Sequence, residues 1–162
     1  MAYAKFRSDT MSGTTNPEDL VSVIYQVSNT DTAIENGKVV KVGALVDGER
    51  EVRVATAPAK GDSLDDLAII GGDEIVRDKA KYTKGDFINK AGVAARAYRA
   101  GKKHQIFSVS ANALSGTVAK GSLVELDGTV TLAVVTSATS GSTTVGKIIA
   151  IEGDWVVIEI GA

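Results

Sequence analysis

Short runs in which apolar and polar residues alternate, punctuated by glycine-containing turns, fill most of the chain after residue 19. The run at residues 20–27 is rich in β-branched and aromatic side chains, which favour strands. Comparable runs lie at residues 38–46, 49–55, 93–100, 105–109, 122–126, 129–133, 145–152 and 155–160. Many short strands at this spacing are typical of a small β-barrel or β-sandwich.

Neighbouring runs are joined by two-residue turns that predict hairpins. Glycine supplies the positive φ that a tight primed turn requires. The pairs are Asp47-Gly48, Asp127-Gly128 and Gly153-Asp154. In the run that follows the first of them, the alternation predicts that Val52 and Val54 face a core while Glu51 and Arg53 face water.

Residues 1–19 differ in composition from the rest of the chain. They are mostly polar, with Tyr3, Phe6 and Met11 as the sizeable apolar groups. So little apolar surface cannot offset the entropy of ordering, so the segment is expected to be an arm that is extended or disordered in isolation. Isolated aromatic and arginine residues in a polar tail are typical contact anchors, which makes Tyr3, Phe6, Arg7 and Met11 candidate partner-binding residues. An ordinary frayed terminus is the alternative interpretation.

The predicted fold is therefore mainly β, as a small β-barrel or β-sandwich or as two β lobes, with an extended N-terminal arm. At most one or two short helices are expected, one in the polar connection 58–67 and one at residues 110–114, where Ser110 would cap it. The domain prediction is an arm at 1–19 and a β domain at 20–162, with 20–82 and 83–162 as alternative sub-lobes.

Composition narrows the chemistry. The 162 residues suit about one domain, and the absence of cysteine excludes disulfides, thiol nucleophiles and cysteine metal sites. A single histidine makes a histidine zinc site or a Ser-His-Asp triad an unfavourable interpretation. No targeting segment and no apolar stretch of about 20 residues is present, so no membrane contact is expected and the protein should be made and kept in the cytoplasm or in a particle assembled there.

Two polar clusters could carry chemistry. The acidic residues Asp62, Asp65 and Asp66 lack the spacing of an EF-hand loop, so a solvated acidic loop is favoured over a cation site. His104 follows two lysines in a polar turn and is interpreted as an exposed loop residue. No catalytic, cofactor-binding or metal residue is therefore predicted.

A basic stretch offers a different function. Arg96, Arg99, Lys102 and Lys103 lie near Tyr98 and Phe107, a combination of charge and stacking groups that single-stranded nucleic-acid binders use. The net charge of −2 and an aromatic content of 5% argue against nucleic acid. A solvated rim or a patch that meets an acidic protein surface is favoured. Trp155, which opens the last run, either covers the end of a barrel or is a contact aromatic at an assembly interface.

The C-terminal pattern resembles a known family. Residues 120–128 (KGSLVELDG), the Thr/Ser/Ala-rich connection, the 145–148 run (VGKI) and the final 155–160 run (WVVIEI) resemble the barrel of tailed-bacteriophage capsid decoration proteins, also called head-stabilising or cement proteins. The resemblance covers about the last 60 residues and extends to 87–109.

This resemblance implies a structural virion protein and not an enzyme. It implies binding to the outside of an assembled capsid, with the major capsid protein as partner, at hexamer centres or as a homotrimer at three-fold positions. It implies no cofactor. The alternative function is that of a single-stranded nucleic-acid-binding β-barrel.

Overall fold

A computed structural model describes residues 3–12, 19–74 and 87–161, and the chain within them is built of thirteen strands. The strands are β1 (Phe6–Ser12), β2 (Leu20–Val27), β3 (Thr30–Asp31), β4 (Val39–Leu45), β5 (Val52–Thr56), β6 (Leu67–Ile70), β7 (Ala95–Arg99), β8 (Ile106–Ser110), β9 (Leu114–Ser115), β10 (Leu123–Leu126), β11 (Leu132–Val135), β12 (Thr144–Glu152) and β13 (Trp155–Ile160). Two 3-10 helices, Leu64–Asp66 and Ala111–Ala113, are the short helices of these described ranges. The prediction of a mainly β fold with few helices is confirmed.

Five strands close into a barrel in the order β2-β5-β4-β6-β7, and β7 returns to pair with β2. The β2–β5 pair is parallel, with Ile24 beside Val54, whereas the β2–β7 pair is antiparallel, with Val21 beside Ala97. The two-residue strand β3 pairs with the end of β2. Closure leaves the barrel strands paired on both sides, which removes sheet edges that could aggregate.

The remaining strands form a seven-stranded sheet in the order β1-β8-β13-β12-β10-β11-β9. Most neighbours are antiparallel, and β9 lies parallel to β11. The N-terminal strand β1 pairs with β8 at one edge, about a hundred residues away in sequence, with Phe6 beside Val109. The sheet therefore brings the two ends of the chain together.

The three predicted hairpins are present. Asp47-Gly48 joins β4 to β5, Asp127-Gly128 lies between β10 and β11, and Gly153-Asp154 joins β12 to β13. The glycines have φ values of 79°, 91° and 62°. Only the β12–β13 connection is the two-residue turn that was predicted, since Glu152 pairs with Trp155. The other two loops are longer, because Leu126 pairs with Leu132 and the Val46 N–H donates to the Val52 carbonyl. Local turn chemistry was sufficient to place the hairpins, because a positive-φ residue marks the turn, but it did not fix the loop length.

Two apolar cores hold the molecule together. The barrel interior is filled mostly by small and β-branched residues, namely Val21, Val23, Ile34, Val40, Ala55, Ala68, Ile70, Ala95 and Ala97. A larger junction core lies between the barrel wall and the seven-stranded sheet, where Leu67, Ile69 and Tyr98 pack with Phe107 and Ile158. Every residue of β6 is buried, because the strand contributes alternately to the two cores.

Two local predictions are wrong. Val52 and Val54 are half-buried, and the buried residue of β5 is Ala55. The closed barrel therefore takes into its core the alternate set of β5 positions, the set to which Ala55 belongs. Ser110 precedes the second 3-10 helix without a side-chain cap, because its hydroxyl accepts a hydrogen bond from the Lys5 N–H at 2.8 Å. Trp155, for which the sequence left two alternatives open, begins β13 of the seven-stranded sheet.

The proposed boundary between residues 82 and 83 lies outside the described residues, as do residues 13–18 of the predicted arm.

Candidate interaction surfaces

The four anchor residues predicted in the arm lie in different surroundings. Phe6 is 8% exposed and belongs to the junction core, with its ring stacked on Tyr98 at 5.5 Å and tilted against Phe107 at 6.0 Å. Met11 is partly buried against the same core, and Tyr3 is half-buried ahead of β1. Phe6 and Met11 therefore fasten β1 to its own chain in this structure.

Arg7 faces the other side of the sheet from Phe6. Its guanidinium lies over the Trp155 ring, 5.6 Å from the ring centre, in cation–π geometry. Both side chains are half-buried. The seven-stranded sheet thus carries an arginine and the single tryptophan of the chain together beside its β1 edge.

Main-chain contacts fix the start of the arm. The Ala4 N–H donates to Glu35 Oε2 at 3.0 Å, and the Ser110 N–H donates to the Lys5 carbonyl at 3.0 Å. Beyond β1, the described residues contain no strand that pairs with its outer side. The main-chain groups along that side are the ones that a strand from a partner could use.

The two aromatic rings of the basic stretch are not exposed, as a surface that binds nucleic acid by stacking would require. Tyr98 and Phe107 are buried in the junction core, so neither ring is available for stacking on a base. Lys102 Nζ contacts the buried carboxylate of Asp19 at 2.7 Å, and Arg96 pairs with Asp73 at 3.2 Å. Positive charge is therefore the one feature of this stretch that still supports nucleic-acid binding.

Barrel closure gathers arginines from two strands into one groove. A groove of about 430 Å³ runs along the start of β2 between β5 and β7. It is named here the arginine groove, and its principal lining residues are Leu20, Ser22, Glu51, Arg53, Arg96 and Arg99. Arg96 and Arg99 could be grouped from the sequence because they are close along the chain. Arg53 could not, because the parallel β2–β5 pairing joins segments about thirty residues apart and leaves no local signal.

The acidic loop is tied to the barrel by one ion pair. Lys41 Nζ donates to Asp62 Oδ1 at 2.6 Å, and the Ala59 N–H donates to Asp62 Oδ2 at 2.7 Å. The hydrogen bond from Lys41 lowers the pKa of Asp62, with desolvation acting in the opposite direction, and the same bond raises the pKa of Lys41. Asp62 therefore has a structural partner of its own.

A buried amide network links Asn36, Gly72 and Asn89. Asn89 Nδ2 donates to the Ile34 carbonyl at 3.0 Å and to Asn36 Oδ1 at 2.9 Å. Asn36 in turn donates to the Gly72 carbonyl and accepts from the Gly72 N–H, both at 2.9 Å. A pocket of about 450 Å³ opens beside this network and includes Phe87 among its lining residues.

These contacts do not test the prediction that the chain has no catalytic residues. His104 is a largely exposed residue at φ 66° whose Nδ1 lies 2.8 Å from Glu159 Oε1. Within residues 3–12, 19–74 and 87–161, no group of three or more His, Asp or Glu side chains could hold a metal ion. No helix in those ranges is long and apolar enough to cross a bilayer.

Comparison with protein-family models, with curated proteins and with solved structures returned no significant match.

Proposed function

We propose that this protein binds the outer surface of an assembled phage capsid and stabilises it, as a decoration protein. The observation that carries the proposal is the β1 edge of the seven-stranded sheet. There, an outer side without a partner strand among the described residues lies next to the Arg7–Trp155 pair. The strands whose sequence resembles the decoration family, β10, β12 and β13, belong to the same sheet.

A strand of the shell protein can add to β1 through main-chain hydrogen bonds, while Arg7 and Trp155 provide side-chain contacts beside it. Tryptophan and arginine are the residue types that most often dominate binding energy at interfaces. Many copies bound to one shell act in parallel, so a modest single contact is enough for stable occupancy. A module held by two apolar cores also changes shape little on binding, which suits reinforcement of a shell.

The test is co-sedimentation with shells of the phage that carries the gene, assembled without this protein. We expect a fixed ratio of bound protein to shell subunits, and shells that withstand higher temperature once decorated. Arg7→Gln and Trp155→Ala should lower occupancy, whereas Arg50→Gln, in the exposed β4–β5 turn, should not. Failure of the unaltered protein to sediment with shells would overturn the proposal.

A further inference from the structure

We propose that the arginine groove binds an acidic segment of a partner protein, with the carboxylates of that segment on Arg53, Arg96 and Arg99. This proposal does not rest on capsid binding, because the lining residues of the groove do not include any residue of β1 and a peptide ligand is sufficient to test it.

The charge of the groove favours an anion. Three guanidinium groups line it, against the single carboxylate of Glu51. Arg96 is already paired with Asp73, but the two side chains are 49% and 61% exposed, so this pair is weak and can be exchanged for a ligand. Arg53 donates to the Gly43 carbonyl at 3.1 Å, which holds its guanidinium in place before any ligand arrives.

The pairing of β2 decides how a ligand can bind. Ser22 and Val23 are bonded to β5 on one side and to β7 on the other, so a partner cannot add a strand at these residues. Recognition must come from side chains. The planar guanidinium group matches a carboxylate through two parallel hydrogen bonds, which lysine cannot provide.

The remaining lining favours a peptide over a nucleic acid. The groove contains no aromatic lining residue within the described part of the chain, so bases would have nothing on which to stack. Leu20, which is 43% exposed at the same groove, offers an apolar contact, so the segment that fits best has an aliphatic side chain next to its acidic residues.

The experiment measures fluorescence anisotropy of a labelled peptide of six glutamates with one terminal leucine, at low and at physiological salt. A peptide with six glutamines in place of the glutamates is the uncharged comparison, and a thymidine hexanucleotide is the phosphate comparison. We expect saturable binding of the glutamate peptide only, weakening as salt rises. Equal binding of the glutamine peptide, or tighter binding of the oligonucleotide, would overturn the proposal.

Variants locate the contact. Arg96→Gln and Arg99→Gln should each weaken binding about tenfold, because each removes a charge-assisted pair, and Arg99→Lys should recover only part of the loss. Lys147→Gln, which makes the same charge change on an exposed position of β12, should leave the affinity unaltered. Equal effects of the groove variants and Lys147→Gln would contradict the assignment.

A measurement on the unaltered protein covers the case in which a variant does not fold. Titration with the glutamate peptide should shift the backbone amide resonances of residues 20–22, 51–53 and 96–99. Shifts confined to other strands would place the peptide elsewhere and overturn the assignment.

Discussion

Gly146 shows how a single position constrains the seven-stranded sheet. It lies in β12 beside Ile160 of β13, and a Cβ at this position would overlap the carbonyl oxygen of Glu159. That oxygen belongs to the backbone of a paired strand, so it cannot move aside without breaking the ladder. The residue is therefore a glycine for reasons of space and not of φ.

We expect Gly146→Ala to lower the free energy of unfolding by about 3 kcal/mol, as overpacking against backbone does. Urea unfolding measures the change. Gly61→Ala is the matched control, since the nearest atom to its added Cβ is the Gly141 carbonyl oxygen at an ordinary 3.6 Å. The control should change the free energy by less than about 0.5 kcal/mol. Similar losses in both variants would contradict the steric explanation.

The Lys41–Asp62 pair gives stability a defined pH dependence. The hydrogen bond from Lys41 lowers the pKa of Asp62 in the folded protein. The stabilisation is therefore present above the ordinary pKa of an aspartate and is lost as the pH falls through the lowered folded value. On the alkaline side, the pKa of Lys41 is raised, so the contribution is present below the ordinary lysine pKa and is lost as the pH rises through the folded value.

We expect Asp62→Asn to be less stable than the unaltered protein at pH 7 and to approach it as the pH falls to about 3, below the ordinary aspartate pKa. The asparagine oxygen can still accept from the Ala59 N–H, so the variant keeps that main-chain contact and removes both the charge and the hydrogen bond from Lys41. Urea midpoints measured at both pH values provide the test. A stability difference that stays constant between them would rule out the pair as its source.

At the scale of the element, β1 shows where local sequence is misleading. Its composition is that of a mobile arm, yet Phe6 stacks on Tyr98 and β1 pairs with β8. Composition cannot reveal a cavity that is completed by strands a hundred residues away. The hairpins were predictable because their turn chemistry is local, whereas the β1–β8, β2–β5 and β2–β7 pairings join distant segments and determine both candidate surfaces.

We expect Phe6→Ala to lower the free energy of unfolding by about 3 kcal/mol, because the truncation leaves a cavity in the junction core. Arg7→Ala should change it by no more than about 1 kcal/mol, the worth of a half-exposed cation–π contact. Thermal unfolding and amide exchange across β8 provide the readouts. If Phe6→Ala were as stable as Arg7→Ala, the aromatic ring would not be part of the core in solution.

At the scale of the whole molecule, the junction core joins the barrel and the sheet into one packed unit. Barrel residues such as Val39 and Ile69 are in the same apolar cluster as Val124 and Ile158 of the sheet. Neither part can bury these faces without the other. The sequence left a single barrel and two lobes open, because alternation marks which positions are buried and not which element covers them.

We therefore expect the two parts to unfold in one transition. Trp155 fluorescence reports on the seven-stranded sheet, and far-UV circular dichroism reports on all strands. Their urea midpoints should coincide, as they do for a two-state domain. Two separated transitions would show that the barrel and the sheet are independently stable.

The amide network of Asn36 and Asn89 has a consequence for how this fold can vary. It holds Gly72 and Asn89, the two stems of the connection from β6 to β7, in one hydrogen-bonded cluster. The two points at which this connection leaves and rejoins the described fold are thus held together by the Asn36 side chain. Residue 36 can therefore change only at the expense of both points at once, because its amide is their common partner.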